Sequence, residues 1–203
     1  MKQRVLILFA LIKEADSFLN HSGLKFIKKA KNHFILENND YVDVIITGMG
    51  KKNIVKINYE DEKDLMLVIK AGTCGVLDDS IGLKKILIPK IIRYNDRECK
   101  QDFMKLPMKL KKIIDPFIIN KKILTVDKPL MSKKKSDELY KEGISLVEME
   151  LFFITEKLNN TTILPVLIGT DKGDKYAIVD FIKNLQNASN LLSDFLVKLI
   201  REL

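Results

Sequence analysis

The segment MKQRVLILFALIKEA, residues 1–15, decides how the rest of the chain is read. Two basic residues precede eight apolar ones, VLILFALI, an arrangement that imitates a secretory leader. Lys13, Glu14 and Asp16 then stand where a leader would carry small residues before its cleavage point, and the run is too short to cross a bilayer. It reads instead as a buried first strand, followed by a short helix from Glu14. A strand that is apolar without alternation is covered on both faces, as in the parallel sheets of α/β proteins.

The same alternation of apolar runs and helical patterns continues along the chain. HFILENNDYVDVIIT (33–47) reads as a hairpin turning at Asn38, Asn39 and Asp40, and KKNIVKINYE (51–60) as helical. LMLVIK (65–70) reads as a strand running into a GTCGVL loop, and KKILIPKII (84–92) as another strand. The stretch from Tyr94 to Ile119, with two prolines, is the expected mobile or partner-contacting loop. Then come KKILTV (121–126), a helix around SDELYKEG (136–143), the ISLVEM run (144–149) and a helix through Phe152 to Leu158. ILPVLIG (163–169) and a closing helix from about Ala177 to Leu203 complete the pattern. The expectation is a single α/β domain over residues 1–203: a central, mostly parallel mixed sheet flanked by helices.

Composition narrows the function classes. The chain has 203 residues, 46% of them hydrophobic, enough for one ordinary core. A net charge of +8 is spread over separated runs, KFIKKAKNH, KLPMKLKKI and MSKKKSDE, which reads as a solvated lysine surface. Nucleic-acid binding needs concentrated charge and exposed aromatics; with no Trp and 7% aromatics, mostly inside apolar runs, no nucleic-acid partner is expected. No membrane partner is expected either. Cys74 and Cys99 stand apart from each other and from His21 and His33, so no metal site and no cofactor are expected, and the chain reads as reduced and cytoplasmic.

Polar residues gather where those strands end. Glu14 follows the first strand, GTCG follows LMLVIK, Glu148 and Glu150 close ISLVEM, and Thr170-Asp171 closes ILPVLIG. Ligands of open α/β sheets bind outside the carboxyl ends of the strands, so these groups are expected to meet in one crevice. If the strand carries on past Glu148, Glu148 and Glu150 point to the same side as a carboxylate pair, suited to the adjacent hydroxyls of a ribose. The alternative is that Glu148 neutralises a lysine while Glu150 opens a helix.

Glu14 in ALIKEADSF, GMGK (48–51), GTCG (72–75), VEME (147–150) and TDKGD (170–174) resemble, in order, the signature of the nucleoside phosphorylase and nucleosidase superfamily. The likeness spans nearly the whole chain and is closest to the methylthioadenosine/S-adenosylhomocysteine nucleosidases. It implies hydrolysis of a purine nucleoside, with Glu14 activating water and Asp171 protonating the purine at N7. Glu148, Met149, Glu150 and Thr73 would bind substrate. It also implies a homodimer. The chain departs from the family's pattern in Leu151, Phe152 and Phe153, which follow VEME where small residues are usual. It departs again in Pro129 and Leu130, which stand where a base-stacking aromatic is expected, with Tyr176 or Phe181 as possible substitutes. Lys70 occupies the place of a phosphate-binding arginine of the phosphorolytic branch, which keeps phosphorolysis as an alternative; a nucleoside-binding protein with weakened catalysis is another.

Overall fold

The computed structural model describes residues 4–37, 41–57, 59 and 64–203. Strand β1 (Arg4–Phe9) leads into helix α1 (Ile12–His21), then β2 (Phe26–Ala30), β3 (His33–Leu36), β4 (Val42–Ile46) and the short α2 (Lys51–Val55). The long β5 (Leu65–Val76) is followed by β6 (Ile86–Tyr94), β7 (Arg97–Lys100), α3 (Met108–Ile114) and β8 (Ile118–Thr125). Last come α4 (Lys133–Lys141), β9 (Ile144–Glu148), α5 (Leu151–Lys157), β10 (Thr162–Asp171) and the 25-residue α6 (Ala177–Arg201).

Among the described residues all ten strands belong to one mixed sheet, and β5 is its hub. β5 pairs in parallel with β1 on one side and, from Leu67 to Gly75, with β10 on the other. Beyond β10 the order runs through β6, β8 and β9, and β9 returns to pair with Gly75 and Val76 of β5. Five strands thus close into a ring, while β1, β4, β3 and β2 extend from β5 as an open wing. The long pairings at the centre are parallel; the hairpins at the edge and the joins of the ring are antiparallel.

β1 shows why its sequence is apolar throughout. Val5, Ile7 and Phe9 face one core with Phe18 of α1 and Leu192, Phe195 and Leu196 of α6. Leu6 and Leu8 face the other, with Val68, Ile154 and Leu167. Adjacent residues of a strand point to opposite faces, so a strand covered on both sides has no room for a polar residue. At the wing's edge β2 is exposed, and Lys28 and Lys29 stand out along it, as charged residues commonly do where a free edge must resist pairing with another chain.

Three expectations need correction. GTCG is not a loop: β5 continues through it to Val76, because β10 and β9 supply backbone partners on both sides. The Tyr94–Ile119 stretch is not one long loop; it forms β7, α3 and a 3-10 turn at Asp115–Phe117, anchored by buried Phe103, Leu106, Leu110 and Ile114. The strand of ISLVEM stops at Glu148, so Glu148 and Glu150 are not successive same-side residues of one strand. The hairpin of β3 and β4 forms, but its turn at residues 38–40 lies outside the described residues. Among the described residues, no helix is long and apolar enough to cross a membrane.

Candidate active site

Helix α1 starts right after β1, which carries Glu14 into its first turn, over the carboxyl ends of β1 and β5. The helix is held against α6, where the Ser17 N–H donates to Ser189 Oγ (3.0 Å) and Ser17 Oγ donates to Asn190 (2.6 Å). The Glu14 carboxylate is buried, 2% exposed, and accepts three hydrogen bonds. Oε2 takes the Leu11 N–H (3.0 Å), and Oε1 takes both the Thr73 N–H (2.9 Å) and Thr73 Oγ1 (2.7 Å). Thr73 therefore spends its polar contacts on positioning Glu14, while its side chain also lines the cavity described below.

Next to Glu14 lies a buried cation. Lys70 of β5 is 2% exposed, and its Nζ lies 3.5 Å from Glu150 Oε2. Gly72 makes room for this arrangement: a Cβ there would stand 2.8 Å from Lys70 Nζ and 3.1 Å from Glu14 Oε1. Burial works against the charged ammonium, but Glu150, Glu14 and Glu148 outweigh it, and the Lys70 pKa ends above its ordinary value. Glu150 is the residue preceding α5, and its Oε1 accepts the Gly50 N–H (2.7 Å), which ties the GMGK turn to the site. Gly50 has φ of 81°, a backbone geometry that glycine takes without strain.

Glu148, at the end of β9, turns both oxygens inward. Oε2 accepts the N–H groups of Glu150 (2.7 Å) and Leu151 (2.8 Å), and Oε1 accepts the Thr125 hydroxyl. Burial, then the nearby Glu150 charge, push its pKa up to about 7. The alternative reading of the pair was half right with the partners exchanged: Glu150 meets the lysine and opens the helix, and Glu148 satisfies the helix's first N–H groups. Asp171 ends β10, where Gly173 N–H (3.0 Å) and Thr170 Oγ1 (3.0 Å) donate to it. Burial outweighs those donors and raises its pKa. Gly75 leaves space for it, since a Cβ there would meet Asp171 Oδ1 at 3.1 Å and Val147 at 2.8 Å.

These groups surround one cavity of about 160 Å³, roughly ten times what a single water needs. Glu14, Thr73, Glu148, Met149, Glu150 and Asp171, the six residues singled out in the sequence, all line it. Cys74 lines it too as a buried thiol, its pKa driven well up by burial and by Asp171 and Glu148, which is the opposite of an activated nucleophile. Pro129, Leu130 and Phe181 form apolar wall, whereas Tyr176 is exposed and outside the lining. Leu151, Phe152 and Phe153 leave the cavity untouched. They are buried in the second core, where the rings of Phe152 and Phe153 lie 5.6 Å and 4.7 Å from that of Tyr94. The sequence reading missed Met49 and Ile178 in the lining and the donors Gly50 and Thr125. Met49 and Gly50 had a signal, since both stand in the quoted GMGK motif. Among the described residues no group of three metal-ligating side chains forms.

No protein-family model matches the sequence, and no curated protein matches it. Solved structures do. The 5'-methylthioadenosine/S-adenosylhomocysteine nucleosidase of Helicobacter pylori, bound to butyl-thio-DADMe-Immucillin-A, superposes with a TM-score of 0.82 at 19% identity, over 100% of both chains. The corresponding nucleosidase of Neisseria meningitidis, with methylthio-immucillin-A, gives 0.78 at 16% identity, over 99% of this chain and 100% of that one. Futalosine hydrolase of Helicobacter pylori gives 0.81 at 18% identity, over 99% and 98%. The chain has the α/β fold of the nucleosidases across its whole length.

Proposed function

We propose that the protein is an N-glycosidase that hydrolyses a purine nucleoside, with 5'-methylthioadenosine or S-adenosylhomocysteine as the leading substrates and adenine as the released base. The observation that carries this reading is the meeting of Glu14, Glu150 and Asp171, distant in sequence, around one cavity at the carboxyl ends of β1, β9 and β10. Breaking an N-glycosidic bond passes through a cationic ribosyl species, helped by an acid at the leaving base and a base on the attacking water. Asp171, its pKa raised by burial, is the group that delivers a proton to the purine N7. Glu14 is oriented by three donors, and since a carboxylate has about four acceptor positions, one is left to orient and deprotonate water. Glu150 receives the ribose hydroxyls and stabilises the developing cation; Met149 packs beside the sugar, and Glu148 keeps the turn that presents both.

Lys70 favours water over phosphate. Its ammonium is sealed beneath the cavity and engaged by Glu150, and a phosphate entering there would meet three carboxylates. Pro129, Leu130 and Phe181 supply an apolar slot for the base in place of a stacking aromatic. The reading also takes the protein as a cytoplasmic homodimer. Met49, Ile178, Val179 and Ile182, each at least half exposed, form an apolar rim that a second copy could cover.

The test is incubation with a panel containing methylthioadenosine, S-adenosylhomocysteine, futalosine and inosine, with and without phosphate, identifying the sugar released. Free ribose derivatives and no acceleration by phosphate are expected. Strict phosphate dependence would make the protein a phosphorylase, and tight nucleoside binding without turnover would make it a binding protein.

A further inference from the structure

Four carboxylates approach the cavity and one cation stands behind them. Glu14 comes from α1, Glu148 from β9, Glu150 from the start of α5 and Asp171 from β10, while β5 contributes Lys70 and the neutral thiol of Cys74. Lys70 does not line the cavity, so it has no direct route to a substrate. Its Nζ touches Glu150 Oε2 at 3.5 Å and its own strand at the Ala71 carbonyl, 3.4 Å away. The space left by Gly72 admits both the ammonium and Glu14 Oε1, each within about 3 Å of the same point. A lysine with 2% exposure is costly to keep charged, and here carboxylates and one backbone carbonyl compensate it.

We propose that Lys70 is a positioning residue for the reaction: a sealed cation under the cavity floor that holds Glu150 and Glu14 in place together by its charge. Without it, the water-activating and ribose-binding carboxylates would share a small space with no cation beside them, and their repulsion would pull one of them out of position. This inference rests on the hydrolase reading for its kinetic consequence but not for its electrostatic one, and the two are separable.

Three variants test it: Lys70→Met, of similar length and uncharged; Lys70→Arg, which restores charge; and Gly72→Ala, which crowds the ammonium away from Glu14 at the flexible ends of both side chains. The expected result for Lys70→Met is a fall of about 10²-fold or more in kcat, with little change in KM, and an acid limb of the pH–rate profile displaced upward by about one unit or more. Lys70→Arg should recover the position of the acid limb, and Gly72→Ala should shift it in the direction of Lys70→Met. In parallel, carbon-13 NMR of glutamate-labelled protein follows the side-chain carboxyls. The signal titrating near pH 7 in the native protein, assigned by its loss in Glu148→Gln, should move higher in Lys70→Met and in Gly72→Ala. If no nucleoside is turned over by the native protein, the hydrolase reading fails while the carboxyl titrations still decide whether Lys70 balances charge. If Lys70→Met does not fold, Gly72→Ala decides. Unchanged titration, or an unmoved acid limb with native kcat, in a folded variant reduces Lys70 to a packing residue and overturns the proposal.

Discussion

The two ends of the parallel strands treat buried acids in opposite ways. Near the amino ends of β1 and β4, Asp43 is fully buried, with Arg4 Nη2 (2.6 Å), Tyr59 OH (2.7 Å) and His33 Nε2 (2.6 Å) against it. Burial pushes its pKa up, but the hydrogen bonds from Tyr59, Arg4 and His33 win and hold it below the ordinary range. At the carboxyl ends, four carboxylates crowd one cavity with one lysine behind them, and Glu148 and Asp171 titrate high. An anion whose donors include a guanidinium supports the fold. Anions crowded together store repulsion that a polar ligand can relieve even when each has its donors, which is the pattern expected of a site for chemistry.

The largest expected effects lie at the carboxyl ends. Glu14→Gln and Asp171→Asn keep shape and remove proton transfer, so each should lower kcat by about 10²–10⁴-fold with the melting temperature nearly unchanged. Native turnover in either variant would remove that residue from the mechanism. Glu150→Gln should cost about 10²-fold in kcat/KM, and because it relieves repulsion the melting temperature should hold or rise; a loss of stability with intact kinetics would leave Glu150 only a structural partner of Lys70.

Asp43→Ala should do the reverse. It removes the acceptor shared by Arg4, Tyr59 and His33 and should lower stability by about 3 kcal/mol in urea unfolding, while the folded fraction retains native kcat. A kinetic defect out of proportion to unfolding would break the contrast between the two ends.

Dependence on pH sharpens it. A Glu148 pKa raised from 4.5 to about 7 means that the unfolded chain loses this proton first, so stability falls as pH rises from 4.5 towards 7 and then levels. Glu148→Gln should flatten that window by an amount on the order of 3 kcal/mol, the Thr125 hydroxyl turning from donor to acceptor. Asp43 has the opposite sign: its contribution is present above the ordinary value of 3.8 and is lost as pH falls through its lowered folded pKa. Stability profiles of Glu148→Gln and Asp43→Asn against pH should therefore deviate from the native curve on different sides. The smallest effect is expected at the rim, where Val179→Ser and Ile182→Ser should change monomer stability by less than about 0.5 kcal/mol and be visible only as a shift of the proposed homodimer towards monomer in sedimentation.

Much of this was legible in the chain itself. The unbroken apolar runs of β1, β5 and β10 reveal burial on both faces, and the polar residues that follow them mark the crevice, because strand direction alone determines which end a trailing residue occupies. GTCG misled because glycines read as loop when the sequence is scanned locally. Here Gly72 and Gly75 are strand residues whose missing side chains leave room for Lys70, Glu14 and Asp171 arriving from elsewhere. Phe152 and Phe153 misled in the other direction, since nothing local told that α5 turns them away from the cavity towards Tyr94.

The sequence by itself determined the alternation of strands and helices and the end of the sheet where polar groups collect, since these follow from hydrophobic periodicity and residue type along single segments; Thr73 and Met149 were reached only through the family resemblance. Tertiary structure alone decided the partners. Glu150 rather than Glu148 took the lysine, Thr73 turned to Glu14, and Asp43 rather than any site carboxylate received a guanidinium. The physical reason is that a carboxylate's charge state and role depend on the donors and charges within a few ångströms of it, and those come from segments up to a hundred residues away, as Gly50 comes to Glu150.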